Sequence, residues 1–157
     1  ISPYSRRLRN GKNNPKNYPY WDQVIDRVSG LGYDVVQIGE NNESKFNKVK
    51  NFIIGANFDK LKSLVNNSKT FISVDNFFPH FCAYSTNVGG VVIFSLSDPN
   101  IFGYAHNINL LKDRSYLRKE QFGIWEAVEF NRNAFVEPLA VTAAVESQIS
   151  MNKLKGA

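Results

Sequence analysis

The sequence has 157 residues, of which 43% are hydrophobic and 21% charged, and its formal net charge is +5. This length is typical of one domain with its own hydrophobic core, so we expect residues 1–157 to form a single domain without a membrane span, since no apolar run approaches ~20 residues. The one cysteine, Cys82, excludes an internal disulfide and favours a reducing, cytoplasmic compartment.

The positive charge is concentrated at the start of the chain. Without the five basic residues of this start, the 19 Lys and Arg residues leave 14, which the 14 Asp and Glu residues balance. A local excess indicates an anionic ligand that is met by one loop. The five residues precede Asp22, the first acidic residue, and are Arg6, Arg7, Arg9, Lys12 and Lys16.

The first elements are a strand end, a long loop and a helix. Residues 1–3 resemble the end of a strand, which predicts a fragment, a processed product or one part of a longer protein. Residues 4–19 predict a polar loop, and loops of this length are often functional or mobile. The following apolar residues recur at helical spacing and predict an amphipathic helix: Trp21, Val24, Ile25, Val28 and Leu31.

Short apolar strands then alternate with helices. Strands are predicted at 34–38, 52–55, 70–74, 91–94 and 108–111. A helix is predicted at 58–65, and Pro79 indicates the first turn of another, where a missing N–H costs nothing. Further helices are predicted at 116–131 and from Pro138 onward. The pattern predicts an α/β fold with a Rossmann-like open parallel sheet, helices on both faces and additional C-terminal helices.

Known catalytic motifs are absent. The sequence contains no GxGxxG, Walker A, HExxH, CxxC or GxSxG pattern. His80 and His106 lack metal-ligand spacing, so we expect neither a metal nor a cofactor. Cys82 would face away from His80 on a helix, which argues against a Cys–His nucleophile.

Polar residues follow several of the predicted strands. The carboxyl rim of the sheet, where ligands bind in open α/β folds, would carry Asp75, Asn76, His80, Ser97 and Asp98. Glu40 ends the adjacent strand, and a carboxylate there can accept hydrogen bonds from ribose hydroxyls. The alternatives are that Asp75 caps the helix that follows it and that His80 only satisfies a neighbouring group.

The basic loop has three interpretations. It could be a solvated, disordered arm. It could be a phosphate clamp, in which Ser5 and Arg6 end the first strand beside the N-terminus of the first helix. It could also bind single-stranded nucleic acid, with Tyr18, Tyr20 and Trp21 stacking on the bases.

Four segments carry a family resemblance: Ser5-Arg6 with Lys16-Asn17-Tyr18-Pro19, Gln37–Glu40, Ser73–His80 and Phe94–Pro99. They resemble the C-terminal, donor-binding half of the heptosyltransferases (glycosyltransferase family 9, GT-B fold). The family signature Ser-x-Asp-Thr-Gly-x-x-His matches Ser73–His80, with Asn76 in place of Thr and Phe77 in place of Gly. The resemblance covers about residues 1–112.

The resemblance implies a glycosyltransferase-like domain that binds a nucleotide-diphosphate sugar for transfer to a sugar hydroxyl of a carbohydrate acceptor. Ser5, Arg6 and Lys16 would hold the diphosphate. Glu40 would bind the ribose. The sugar or phosphate side of the donor would meet Asp75, Asn76, His80 and Ser97. The family's acceptor domain and catalytic carboxylate would lie in a preceding N-terminal domain, so no catalytic residue is predicted here.

Two other functions remain open. The first is a non-catalytic binding or assembly module that keeps the glycosyltransferase-like fold, which Phe77 favours. The second is a single-strand nucleic-acid binder that uses the basic N-terminal loop. Whether the chain takes part in an enzyme therefore depends on an acceptor-binding half.

Overall fold

The computed structural model describes residues 1–155. Ten regular elements follow one another along these residues: α1 (Trp21–Gly30), β1 (Val36–Gly39), β2 (Asn51–Ile54), α2 (Phe58–Asn66), β3 (Ile72–Val74), α3 (Phe77–Ser85), β4 (Val91–Ile93), α4 (Pro99–Phe102), β5 (Ile108–Leu110) and α5 (Pro138–Lys155). The five predicted strands and the helices at 58–65, Pro79 and Pro138 are confirmed, with shifts of a few residues at their ends. None of the helices in residues 1–155 is long and apolar enough to cross a membrane.

The strands form parallel ladders that the first two residues connect. β1 pairs with β2, and β4 pairs with both β3 and β5. Ser2 bridges Ser73 in β3, and the Ile38 N–H of β1 donates to the Ile1 carbonyl at 2.9 Å. The spatial order is therefore β2, β1, residues 1–2, β3, β4 and β5, as in an open Rossmann-like sheet.

The chain direction across this sheet reverses once. From residues 1–2 the chain moves outward to β1 and β2, then crosses back to β3 and continues outward to β5. The loop that follows residues 1–2 and the loop that follows β3 therefore run in opposite directions across the sheet. This reversal is the switch point at which open parallel sheets bind their ligands.

Helices cover both faces of the sheet because buried side chains alternate along the strands. In β4 and its next residue, Val91 and Ile93 join one core cluster, while Val92 and Phe94 join the other. The first cluster includes the apolar faces of α1 and α5, and the second includes those of α2 and α3. The predicted α/β architecture is confirmed.

One predicted helix is wrong. Residue 116 ends a 3-10 helix, Arg114–Tyr116, and residues 117–131 form turns and irregular segments before a second one, Arg132–Ala134. In the described residues, α5 is therefore the one α-helix beyond β5. The Arg118 guanidinium donates to the Gly123 carbonyl at 2.8 Å, and the Gln121 amide donates to the Leu96 carbonyl at 3.2 Å. Such side-chain bonds to backbone groups compete with helix formation.

Candidate functional site

A cavity of about 1070 Å³ opens at the switch point of the sheet. This volume is at the upper end of the ~300–1,000 Å³ range of small-molecule sites. The structure brings all eight predicted site residues to its wall: Ser5, Arg6, Lys16, Glu40, Asp75, Asn76, His80 and Ser97. Their role as ligand contacts stays a prediction.

An ion pair lies between the two sides of this cavity. The Lys16 Nζ is 3.3 Å from the Asp75 Oδ2, and the side chains are only 16% and 9% exposed. Lys16 comes from the basic loop, whereas Asp75 directly follows β3. A lysine ammonium has three donors, so Asp75 leaves Lys16 able to bind a ligand anion as well.

The basic loop is held by hydrogen bonds to its own residues and to the end of β3. The Ser5 Oγ donates to the Asp75 carbonyl at 3.1 Å, and the Ser5 N–H donates to the Asn17 Oδ1 at 2.8 Å. The Asn14 amide donates to the Arg6 carbonyl and accepts the Lys16 N–H, both at 3.1 Å. These bonds position Lys16 over Asp75 and contradict the interpretation of a disordered arm.

Asn76, and not Asp75, caps the helix after β3. The Asn76 Oδ1 accepts the Phe78 N–H at 2.8 Å, and its amide donates to the Tyr4 carbonyl at 2.9 Å. The alternative that Asp75 is the helix cap is therefore wrong. Because the neighbouring amide satisfies the helix end, the Asp75 carboxylate is left to face Lys16 and the cavity.

Glu40 lies on the wall that the end of β1 provides. It is exposed, and its N–H donates to the Glu43 Oε2 at 3.0 Å. Burial raises the pKa of Glu43 above its usual range. A Cβ on Gly39 would come within 2.1 Å of that same Glu43 oxygen, so a larger residue there would require the Glu43 side chain to move.

Ser97 and His80 complete the far end of the cavity. Ser97 is 1% exposed, and its Oγ has no hydrogen-bond partner within residues 1–155. A buried hydroxyl without a partner is uncommon in native proteins, which makes Ser97 a candidate ligand contact. The half-buried His80 places its Nδ1 2.9 Å from the Tyr104 hydroxyl oxygen.

Residues 118–125 also contribute to this cavity, although no pattern in the sequence indicates it. Arg118 and Trp125 both line it. The Arg118 Cζ is 3.8 Å and the Lys16 Nζ 5.0 Å from the centre of the Trp125 ring, within the range of cation–π attraction. Burial lowers the pKa of Arg118, and the Asp75 charge opposes this shift. The contact of Lys16 with Trp125 joins positions about a hundred residues apart, and no spacing pattern in the sequence indicates it.

Two of the three aromatic residues that could stack on nucleic acid are not available for it. Tyr18 and Trp21 are buried in the core, with the Tyr18 hydroxyl donating to the Val136 carbonyl and the Trp21 Nε1 donating to the Pro3 carbonyl. The prediction of stacking by these two residues is therefore wrong. Tyr20 is half-buried and carries the Arg132 guanidinium over its ring, 4.7 Å from the centre.

No known family model and no curated protein matches this sequence. The solved structures that match its fold include two of the protein TibC. One is the dodecameric iron-containing heptosyltransferase TibC in complex with ADP-D-beta-D-heptose, at 16% identity and a TM-score of 0.58. The other is the iron-containing dodecameric glycosyltransferase TibC from enterotoxigenic E. coli H10407, at 15% identity and a TM-score of 0.62.

The similarity covers nearly all of this chain and less than half of those proteins. The matches include 91% and 98% of this chain but 43% and 45% of the TibC chains. Residues 1–155 contain no group of three or more His, Cys, Asp or Glu side chains that could hold a metal ion. At this level of identity the comparison shows the fold alone: the chain has a Rossmann-like fold, similar to somewhat less than half of a TibC chain.

Proposed function

We propose that the cavity binds a nucleotide-diphosphate sugar and that the chain is the donor-binding domain of a glycosyltransferase. The observation that carries this proposal is the Lys16–Asp75 pair at the switch point of the sheet, within one cavity that all the predicted site residues line. A TibC structure with the same fold holds ADP-D-beta-D-heptose, which supports this class of ligand.

The diphosphate would lie on the basic side of the cavity. Arg6 and Arg7 line it, are exposed and form no ion pair within residues 1–155. Together with Lys16 they offer charge-assisted hydrogen bonds, which are the strong contacts for phosphate oxygens. Arg118 adds a fourth positive charge at the same wall.

The hydroxyl-bearing parts of the donor would meet the acidic and neutral polar groups. Glu40 would accept hydrogen bonds from the ribose, as acidic residues at a strand end do in other doubly wound sheets. Ser97, Asn76, Asp75 and His80 would contact the sugar or the phosphates beside it.

In sugar transfer, this domain would stabilise the diphosphate as it leaves. Negative charge develops on the leaving phosphate, and positive charges fixed beforehand lower the energy of that state. An acceptor-binding domain and its general base would come from another part of the protein, which we propose from the share of the TibC chains that the match covers. The single-domain organisation and the cytoplasmic location likewise remain predictions.

Calorimetry with ADP, GDP, UDP and their sugars tests the proposal. Lys16→Met removes the charge but leaves Asp75 unpaired, so the double variant Lys16→Met/Asp75→Asn is measured beside it. Each should weaken binding about tenfold or more, because a hydrogen bond to a charged group contributes about 1.5–3 kcal/mol. Lys12→Met, which alters a basic residue of the same loop outside the cavity, should change affinity less than twofold.

Two results would contradict this function. One is the absence of any binding below millimolar concentration by all three nucleotides and their sugars. The other is an equal loss of affinity from the Lys12 and Lys16 variants, with steep salt dependence. That second result would instead indicate binding of polyanions by the whole basic loop.

A further inference from the structure

His80 connects the cavity with a tyrosine that lies outside it. The histidine lines the cavity, whereas Tyr104 does not. The Nδ1 of His80 is 2.9 Å from the Tyr104 hydroxyl oxygen, and the two rings meet edge to face at 5.5 Å. Since Nδ1 is engaged by Tyr104, Nε2 is the ring nitrogen that remains for a ligand.

The backbone around Tyr104 is fixed. Its carbonyl accepts the Asn109 side-chain amide at 3.0 Å and the Asn107 N–H at 3.1 Å. The preceding Gly103 approaches α4 closely, because a Cβ there would lie 2.5 Å from the Pro99 carbonyl oxygen. The phenol is therefore held against one side of α3.

The hydroxyl of Tyr104 has a second neighbour on the same side of α3. Tyr84 lies four residues after His80, and its ring is 5.9 Å from that of Tyr104. Burial, followed by a hydrogen bond with Tyr84, raises the pKa of Tyr104. Tyr84 is close enough to take the Tyr104 proton, and the Tyr104 oxygen can then accept a hydrogen bond from His80.

We propose that Tyr104 is a positioning residue, whose oxygen accepts the Nδ1–H of His80 so that the Nε2 lone pair accepts a hydroxyl of the donor sugar. The hydrogen bond at one ring nitrogen selects which nitrogen carries the proton, and so decides what the other nitrogen can bind. This inference rests on the proposed function for its ligand and on the His80–Tyr104 contact for its geometry.

The first test determines which ring nitrogen of His80 carries the proton, and it needs no ligand. Nitrogen-15 NMR of the full chain at a pH where His80 is neutral should show Nδ1 protonated in the wild type. Tyr104→Phe should move the proton largely to Nε2. Tyr84→Phe, which removes the acceptor of the Tyr104 proton, should move it in the same direction to a smaller extent. An unchanged imidazole signal in Tyr104→Phe would overturn the inference.

The second test measures ADP and ADP-glucose binding in a double-mutant cycle. Tyr104→Phe should weaken ADP-glucose about fivefold and ADP less than twofold. In a His80→Ala background, the Tyr104 change should have no further effect, because its influence passes through the histidine. The inference would be overturned if Tyr104→Phe lowered the ADP-glucose affinity equally in the wild-type and His80→Ala backgrounds, or did not lower it at all. The proposed function would still stand in either case if ADP binds. If neither compound binds the wild type, the contact between His80 and a sugar hydroxyl is overturned. The NMR measurement alone then tests whether Tyr104 determines the tautomer of His80.

Discussion

Two segments that line the cavity are stabilised by different kinds of interaction. Residues 70–98 run from β3 through α3 to the end of β4, and their apolar side chains are mostly buried in the sheet. Residues 112–137 have no α-helix or strand, and they carry the exposed Phe122, Ile124 and Phe130. Both segments line the cavity, so its shape depends on a regular part and an irregular part.

The difference lies in the range of the interactions that fix each segment. In the first segment, a β-branched run such as Val91–Ile93 favours a strand, and the helices on the two faces of the sheet bury its side chains. In the second, the chain follows bonds that Arg118 and Gln121 make to backbone carbonyls, and the ring contact of Trp125 with Lys16. Local propensity describes the first segment well and the second poorly.

The largest expected effect comes from breaking the regular segment. Phe94→Ala removes a side chain that is 1% exposed. It should lower the free energy of unfolding by about 3–5 kcal/mol, the usual loss for a buried phenylalanine. Urea unfolding measures the change.

Phe122→Ala is the matched control in the irregular segment. Its side chain is 83% exposed, so we expect a change within about 0.5 kcal/mol. If the two variants lost equal stability, the contrast between the segments would be wrong.

The next effect is local to the irregular segment. Arg118→Ala removes hydrogen bonds from the guanidinium to the carbonyls of Gly123 and Gln121. Amide hydrogen exchange over residues 118–126 should accelerate about tenfold, because hydrogen bonds of a charged group contribute about 1.5–3 kcal/mol.

Exchange in β3 and β4 should stay unchanged in that variant. Lys119→Ala, at an exposed neighbouring position, should leave both regions as they are. Faster exchange in the strands as well would show that the two segments unfold together.

The smallest effect concerns the ion pair that joins the two segments. Arg114 donates to both oxygens of Asp98, at 3.1 and 2.6 Å, and this contact lowers the pKa of Asp98. A lowered pKa means that the stabilisation is present above about pH 4, the ordinary value, and is lost as the pH falls through the folded value. Asp98→Asn should lower the Tm by no more than about 2–4 °C at pH 7.

Thermal unfolding between pH 7 and pH 2.5 measures this difference. The wild-type and Asp98→Asn curves should converge at the acidic end, where Asp98 is protonated. A constant difference across the range would show that the charge of Asp98 does not carry the stabilisation.

Much of the candidate site was predictable because strand ends are predictable. Asp75, Glu40 and Ser97 each follow a recognisable apolar strand, and parallel strands bring their carboxyl ends to one edge. The basic loop was evident from charge alone. Trp125 and Arg118 were misplaced because a helix was predicted where backbone-directed side chains prevail. Tyr104 lies in a loop whose contact with α3 no local pattern indicates.

The sequence by itself determined the alternation of helices and strands, and with it the parallel sheet and the polar edge at its carboxyl ends. These features depend on side-chain periodicity, which local residues carry. Only the tertiary structure decided that Lys16 meets Asp75, that Trp125 covers Lys16 and that Tyr104 engages His80. Each of these contacts joins residues far apart in the chain or on separate elements. Their geometry therefore forms only when the whole sheet and the hydrophobic clusters on its two faces have folded.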